Sequence, residues 1–147
     1  MRLLAAILAA GVLATPALSA SLSQCADSAA GSVGAIAEPL GNNTRTYAKG
    51  QIRVVLMNTG GEPACCAAHI AVIHPDTDGY SLCTLVSDRI GPEGWMSVGF
   101  GGKTTYDAAT GLTIPFKVKR YVDGSGSETA ETLELLVNQS TGEVTVK

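Results

Sequence analysis

Cys65-Cys66-Ala67-Ala68-His69 groups two thiols and an imidazole within five residues. His74 follows closely, and Met57 stands a few residues upstream. Thiolate, imidazole and thioether are the ligand set of Cu(I) or Zn(II). Cys65, Cys66 and His69 are therefore candidate metal ligands, with copper or zinc as the implied cofactor. A plainer chemistry competes for the same atoms. The chain has four cysteines, Cys25, Cys65, Cys66 and Cys83. An even count in a small chain with an export leader reads as two disulfides. Oxidation would consume the thiolates, the paired C-x-x-C spacing of zinc sites is absent, and His69 and His74 face opposite sides of a regular strand. Disulfides beside ordinary histidines, with no cofactor, are the leading expectation, and metal binding is the alternative.

Four cysteines allow three pairings. A tight hairpin about Thr77, joining 67–74 to 81–88, sets Ile73 against Ser81 and Ala71 against Cys83. Cys65 then lies ~20 Å further along the strand, whereas a bridge needs Cα atoms within ~7 Å. The Gly60-Gly61-Glu62-Pro63 segment permits the chain to curl back. A bridge from Cys65 or Cys66 to Cys83 is preferred on this basis, with Cys25 taking the other. Cys25–Cys83 with a vicinal Cys65–Cys66 pair is the minority option, because its eight-membered ring is strained.

Catalytic candidates are few. The only histidines are His69 and His74, and no G-x-S-x-G elbow occurs. His74-Pro75-Asp76-Thr77-Asp78-Gly79 resembles half of a calcium loop, but Gly79 and Tyr80 stand where further ligands belong. Turn chemistry explains it better. Lys117, Lys119 and Arg120 form a basic stripe on the exposed face of the strand over 112–118 and its continuation, beside Tyr121. Such a stripe protects an edge or simply meets solvent. Its functional counterpart is docking to an acidic partner with Tyr121 as anchor, so these four are the candidate partner-binding residues.

The elements that position these groups begin after a leader. Arg2 precedes an unbroken apolar run from Leu3 to Ala14, Pro16 ends it, and Ala17-Leu18-Ser19-Ala20 offers small residues for cleavage. This is the pattern of a secretory signal over 1–20. The run rises ~18 Å as a helix, short of the ~30 Å hydrocarbon core, so no stable membrane insertion is expected. Leu22-Ser23-Gln24-Cys25 is a poor lipobox, since Gln24 is too large. The Ala-rich leader points to a periplasmic or secreted product. Of 147 residues, 10 are Lys or Arg and 13 are Asp or Glu, a net charge of -3. That balance excludes an electrostatic nucleic-acid binder. An aromatic content of 5% argues against a platform of stacking rings.

Residues 21–43 are small and polar, and Cys25 to Ala37 could form one short helix, weakened by Gly31 and Gly34. From Thr44 the pattern changes to period two. Ile52, Val54 and Leu56 share a face, as do Ala68, Ile70 and Val72, then Leu82, Thr84 and Val86. Leu112, Ile114, Phe116 and Val118 alternate with Thr113, Lys117 and Lys119. Leu133, Leu135 and Val137 follow, and Val144 and Val146 close a terminal hairpin. About seven short strands over 44–147 imply an all-β domain, a small antiparallel sandwich or barrel. No family's motif set is carried, and likeness to an immunoglobulin sandwich is one of architecture only. The expected function is that of an exported, disulfide-stabilised binding or accessory module without catalytic activity, acting on a protein partner. Neither target nor oligomeric state is written in the residues.

Overall fold

Alternating apolar residues give strands with one buried face, and two such faces close on each other. The computed structural model describes residues 20–60, 66–88, 93–122 and 125–147. Almost all of the expected leader lies outside them. Ten strands run in order: β1 Ser21–Gln24, β2 Thr44–Tyr47, β3 Ile52–Asn58, β4 Ala68–Pro75, β5 Ser81–Ser87, β6 Ser97–Phe100, β7 Thr105–Asp107, β8 Gly111–Val122, β9 Ser127–Asn138 and β10 Glu143–Val146. Sheet A has the order β1-β5-β4-β3-β2, and sheet B the order β10-β9-β8-β6, with β7 also paired to β8. Every described pairing is antiparallel. The molecule is an all-β sandwich. The strands beyond the expected seven include the short β1, β2 and β7. No helix among the described residues is long and apolar enough to cross a membrane.

The core lies between the sheets. Sheet A contributes Ile52, Val54, Leu56, Ile70, Val72 and Val86, and sheet B contributes Ile114, Phe116, Val118, Leu133, Leu135 and Val137, all buried. These are the faces that the period-two pattern selects, apart from Leu82, which is 43% exposed at the start of β5. Each large aliphatic or aromatic side chain so buried contributes about 1.5–3 kcal/mol. Pro115 sits inside β8, where a missing N–H would ordinarily break a ladder. Its carbonyl accepts from the Gly101 N–H (2.9 Å). The nitrogen faces the same edge, at the junction where β6 pairing ends at Phe116 and β7 pairing ends at Thr113. No ladder bond is lost there.

Two details differ from expectation. The β4–β5 hairpin pairs Ile73 with Cys83 and Pro75 with Ser81, not Ile73 with Ser81 and Ala71 with Cys83. The cause is the turn. The Asp76 carboxylate accepts from the N–H groups of Asp78 (2.9 Å) and Tyr80 (2.7 Å), and Gly79 takes a positive φ of 86°. Residues 76–80 thus form a side-chain-closed loop that shifts the register by two. The short helix expected over Cys25–Ala37 is instead three successive 3-10 turns, Cys25–Asp27, Ala29–Gly31 and Val33–Ala35. Ser28 accepts from the Ala30 N–H (3.2 Å), a local bond that competes with a continuous helix. A Cβ on Gly31 would stand 2.2 Å from the Cys25 carbonyl oxygen, so this close fold-back requires glycine.

These turns form a strap across the outer face of sheet A. Cys25, Ala30 and Ala35 are buried there against Met57, Ala71 and Leu85. The middle of sheet A is therefore apolar on both faces, and the small residues of the strap cover that part of its outer face.

Candidate functional site

The sulfur chemistry resolves through the edge of sheet A. β1 pairs with β5 so that Gln24 lies opposite Thr84. The next pair in that register is Cys25 and Cys83, and they are bonded, with Cα atoms 5.4 Å apart. This overturns the preference for a bridge from Cys65 or Cys66 to Cys83. The preference took Cys25 to lie in a loose segment, whereas an edge strand delivers it to Cys83 directly. Cys66 is itself disulfide-bonded, and Cys65 lies outside the described residues.

His69 and His74 point to opposite faces of β4, as strand geometry requires. His69 is buried on the outer side, its Nδ1 2.8 Å from the Ser87 hydroxyl. Burial holds its pKa below the ordinary 6.5. Gly94 packs against this ring, and a Cβ there would meet His69 Cε1 at 2.8 Å. Met57 lies opposite His69 in the β3–β4 register, so the thioether and imidazole do share a face. With Cys66 oxidised, the Cys66–His69 pair offers an imidazole but no thiolate. No cluster of three His, Cys, Asp or Glu able to hold a metal occurs among the described residues. His74 is buried on the core side. The Pro75 carbonyl can only accept, so His74 Nδ1 donates to it (3.2 Å), and in the neutral ring Nε2 accepts from the Thr84 hydroxyl (2.9 Å).

The basic stripe divides between two environments. Lys117, Lys119 and Tyr121 alternate onto the outer face of sheet B, while Arg120 turns inward. This corrects the expectation that Arg120 shares the exposed face, because neighbours on a strand point to opposite sides. Arg120 forms ion pairs with Asp88 at the end of β5 and with Glu131 of β9 (3.6 Å to the latter). Asp88 is 4% exposed, so the group ties the two sheets together at one end. Arg120 Nε and the buried Trp95 Nε1 have no acceptor among the described residues, and Asp88 Oδ1 and Glu131 Oε2 meet the guanidinium as charges, without hydrogen-bond alignment. Asp88 continues the inward series Thr84, Val86, and that parity was the available signal for its role.

The outer face of sheet B is concave around the two lysines. A cleft of about 530 Å³ opens there, lined by Ser97, Gly99, Lys117, Lys119, Ala130 and Thr132 among others. The register explains the hollow. Lys117 lies between Gly99 and Thr132, and Lys119 between Ser97 and Ala130, so two long side chains rise from a floor of small ones. Lys119 is paired with Glu128 at the surface. Lys117 has no ion pair among the described residues.

A second, smaller cavity of about 200 Å³ lies beneath the strap on sheet A. The sequence hinted at it only through β3 and β4, whose nearly continuous apolar runs imply cover on both faces.

The fold and the bridge define a class, the disulfide-bonded antiparallel β-sandwich. Compared with protein-family models, curated proteins and solved structures, the chain matches none of them.

Proposed function

We propose that this protein is an exported, disulfide-stabilised binding module that acts without catalysis and docks to an acidic partner through the outer face of sheet B. The observation that carries the reading is the cleft around Lys117 and Lys119, with Tyr121 beside it on the same face. The chain is acidic as a whole, at -3, and Glu128 and Glu134 share this outer face, so the attraction for an acidic partner is local to Lys117 and Lys119 in the cleft. Tyr121 adds a large side chain that costs little entropy to fix. Export is supported by the leader pattern together with the Cys25–Cys83 bond, which an oxidising compartment maintains. The non-catalytic reading is supported by both histidines being spent on buried hydroxyl contacts away from the cleft.

The test is an amide-resolved NMR titration of the oxidised protein with poly-L-glutamate as the acidic probe. Shifts should map to Lys117, Lys119, Tyr121 and their cross-strand neighbours, and should weaken steeply with salt. Lys117→Glu with Lys119→Glu should abolish them. Shifts elsewhere, or unchanged binding by the charge-reversed variant, refute the reading. A turnover lost on His69→Ala or His74→Ala would remove its non-catalytic part.

A further inference from the structure

We propose that the cavity under the strap binds the alkyl chain of a free medium-chain fatty acid, with Arg53 receiving the carboxylate. The cavity walls include Val33, Ile36, Val55, Met57, Ala71 and Ile73, with Cys83 of the disulfide at one side. Nearly all of that surface is apolar and the hollow opens to solvent, so an apolar guest would remove that surface from water. Its volume, about 200 Å³, is below the roughly 300 Å³ at which pockets for larger ligands begin. A short unbranched chain is the occupant of matching shape.

The space persists because the strap is held at both ends. Cys25 is bonded to Cys83 at one end. At the other, Ile36 bridges Met57 and the Ala37 N–H donates to the Leu56 carbonyl (3.0 Å). Between these anchors the strap is Gly, Ser and Ala apart from Asp27 and Val33, and its small side chains leave the hollow open. Val33, on the cavity wall, is nonetheless 87% exposed. An aliphatic side chain left in water at a cavity mouth has apolar area to gain from an occupant.

Charge selects the ligand class. The outward positions of sheet A are Ser21, Ser23, Thr44, Thr46, Arg53, Val55, Met57, His69, Ala71, Ile73, Pro75, Ser81, Cys83, Leu85 and Ser87. Arg53 alone carries a fixed charge there. It lies opposite Ile73 and two residues from Val55, both on the cavity wall. Its side chain is exposed and has no ion pair among the described residues. Arginine can lay its aliphatic stem along apolar neighbours and offer a two-pronged donor to one carboxylate. One cation beside one narrow apolar cavity matches a single-headed anionic amphiphile. It does not match a neutral lipid or a cation.

The experiment uses isotope-labelled protein with its disulfides intact, titrated with octanoate, 1-octanol and octylammonium well below micelle formation. Octanoate should bind saturably and shift the amides of Val33, Ile36, Val55, Met57, Ala71 and Ile73. Octanol and octylammonium should bind about tenfold more weakly or not at all, and Arg53→Glu should weaken octanoate by about the same factor. Arg53 is a surface residue, so this variant keeps the fold. No saturable octanoate binding, equal binding of the three probes, or unchanged binding by Arg53→Glu overturns the proposal. So do octanoate shifts confined to the Lys117–Lys119 face. The same strap amides shifting with protein concentration alone would assign the cavity to a second copy of the chain, which also overturns it.

Discussion

Replacing both Cys25 and Cys83 with serine should separate what the bridge holds from what packing holds. The two cysteines are 58 residues apart. Removing a cross-link over a loop of that length frees the unfolded chain by about 4 kcal/mol. Domains of this kind are stable by only about 5–15 kcal/mol in total, so the expected loss is a large share. The urea midpoint should fall accordingly, and the melting temperature by roughly 10–20 °C. A local effect should accompany the global one. Apart from Cys25, the strap buries only Ala30 and Ala35 deeply, and a buried methyl contributes about 0.8 kcal/mol. Ordering one residue's backbone costs about 1–2 kcal/mol. Without the bridge these contacts cannot hold the segment, so the amides of 28–36 should exchange with solvent long before the sheets unfold. The pair of serines also avoids leaving a lone thiol to attack the disulfide at Cys66. A loss below about 1 kcal/mol, with the strap amides still protected, would refute this reasoning and assign the anchoring to packing.

Four further outcomes are expected. Gly31→Ala should cost about 1–3 kcal/mol, because its Cβ would stand 2.2 Å from the Cys25 oxygen, whereas Gly34→Ala, with its nearest neighbour at 3.8 Å, should gain about 0.5 kcal/mol; paired urea melts decide between them. Arg120→Met should cost about 3 kcal/mol, chiefly by leaving the buried Asp88 without a countercharge beside the half-buried Glu131, and adding Asp88→Leu should recover part of it; equal stability of the single variant and the parent would show that the pairs contribute nothing. His69 has a folded pKa below its unfolded value of 6.5, so the unfolded ring takes up its proton first as pH falls. Its contribution to stability is full above pH 6.5 and is lost as pH drops through 6.5 towards the folded pKa; His69→Gln should flatten that limb of the stability profile, and an unchanged limb would place the pH response elsewhere. Thiol titration of the denatured, unreduced protein should find no free thiol, in keeping with Cys25, Cys66 and Cys83 all being bonded; three or four free thiols with stoichiometric Cu(I) uptake would restore the soft-metal reading of Cys65, Cys66 and His69.

The sandwich was legible because its information is local. The period-two pattern of Ile52-Val54-Leu56, Leu112 to Val118 and Leu133 to Val137 assigns each residue to a face, and burial follows from that assignment alone. The terminal β9–β10 hairpin was legible for the same reason, since a turn fixes its own flanking strands. Even the separation of His69 from His74 follows from strand geometry.

What tertiary structure decided were the relations between segments distant in the chain. Ser21–Gln24 has nothing in its composition to mark a strand, yet it pairs with β5, and that pairing brings Cys25 to Cys83. Arg120 reads as one more surface cation until Asp88, 32 residues away on the other sheet, and Glu131 on the neighbouring strand turn out to pair with it. The cavity beneath the strap is formed by chain segments that meet only after both ends of 25–37 are fastened to sheet A. A side chain's face is set by its immediate neighbours, whereas its partner depends on which strands become adjacent. That adjacency is chosen by the burial free energy of the whole sandwich, summed over both sheets at once.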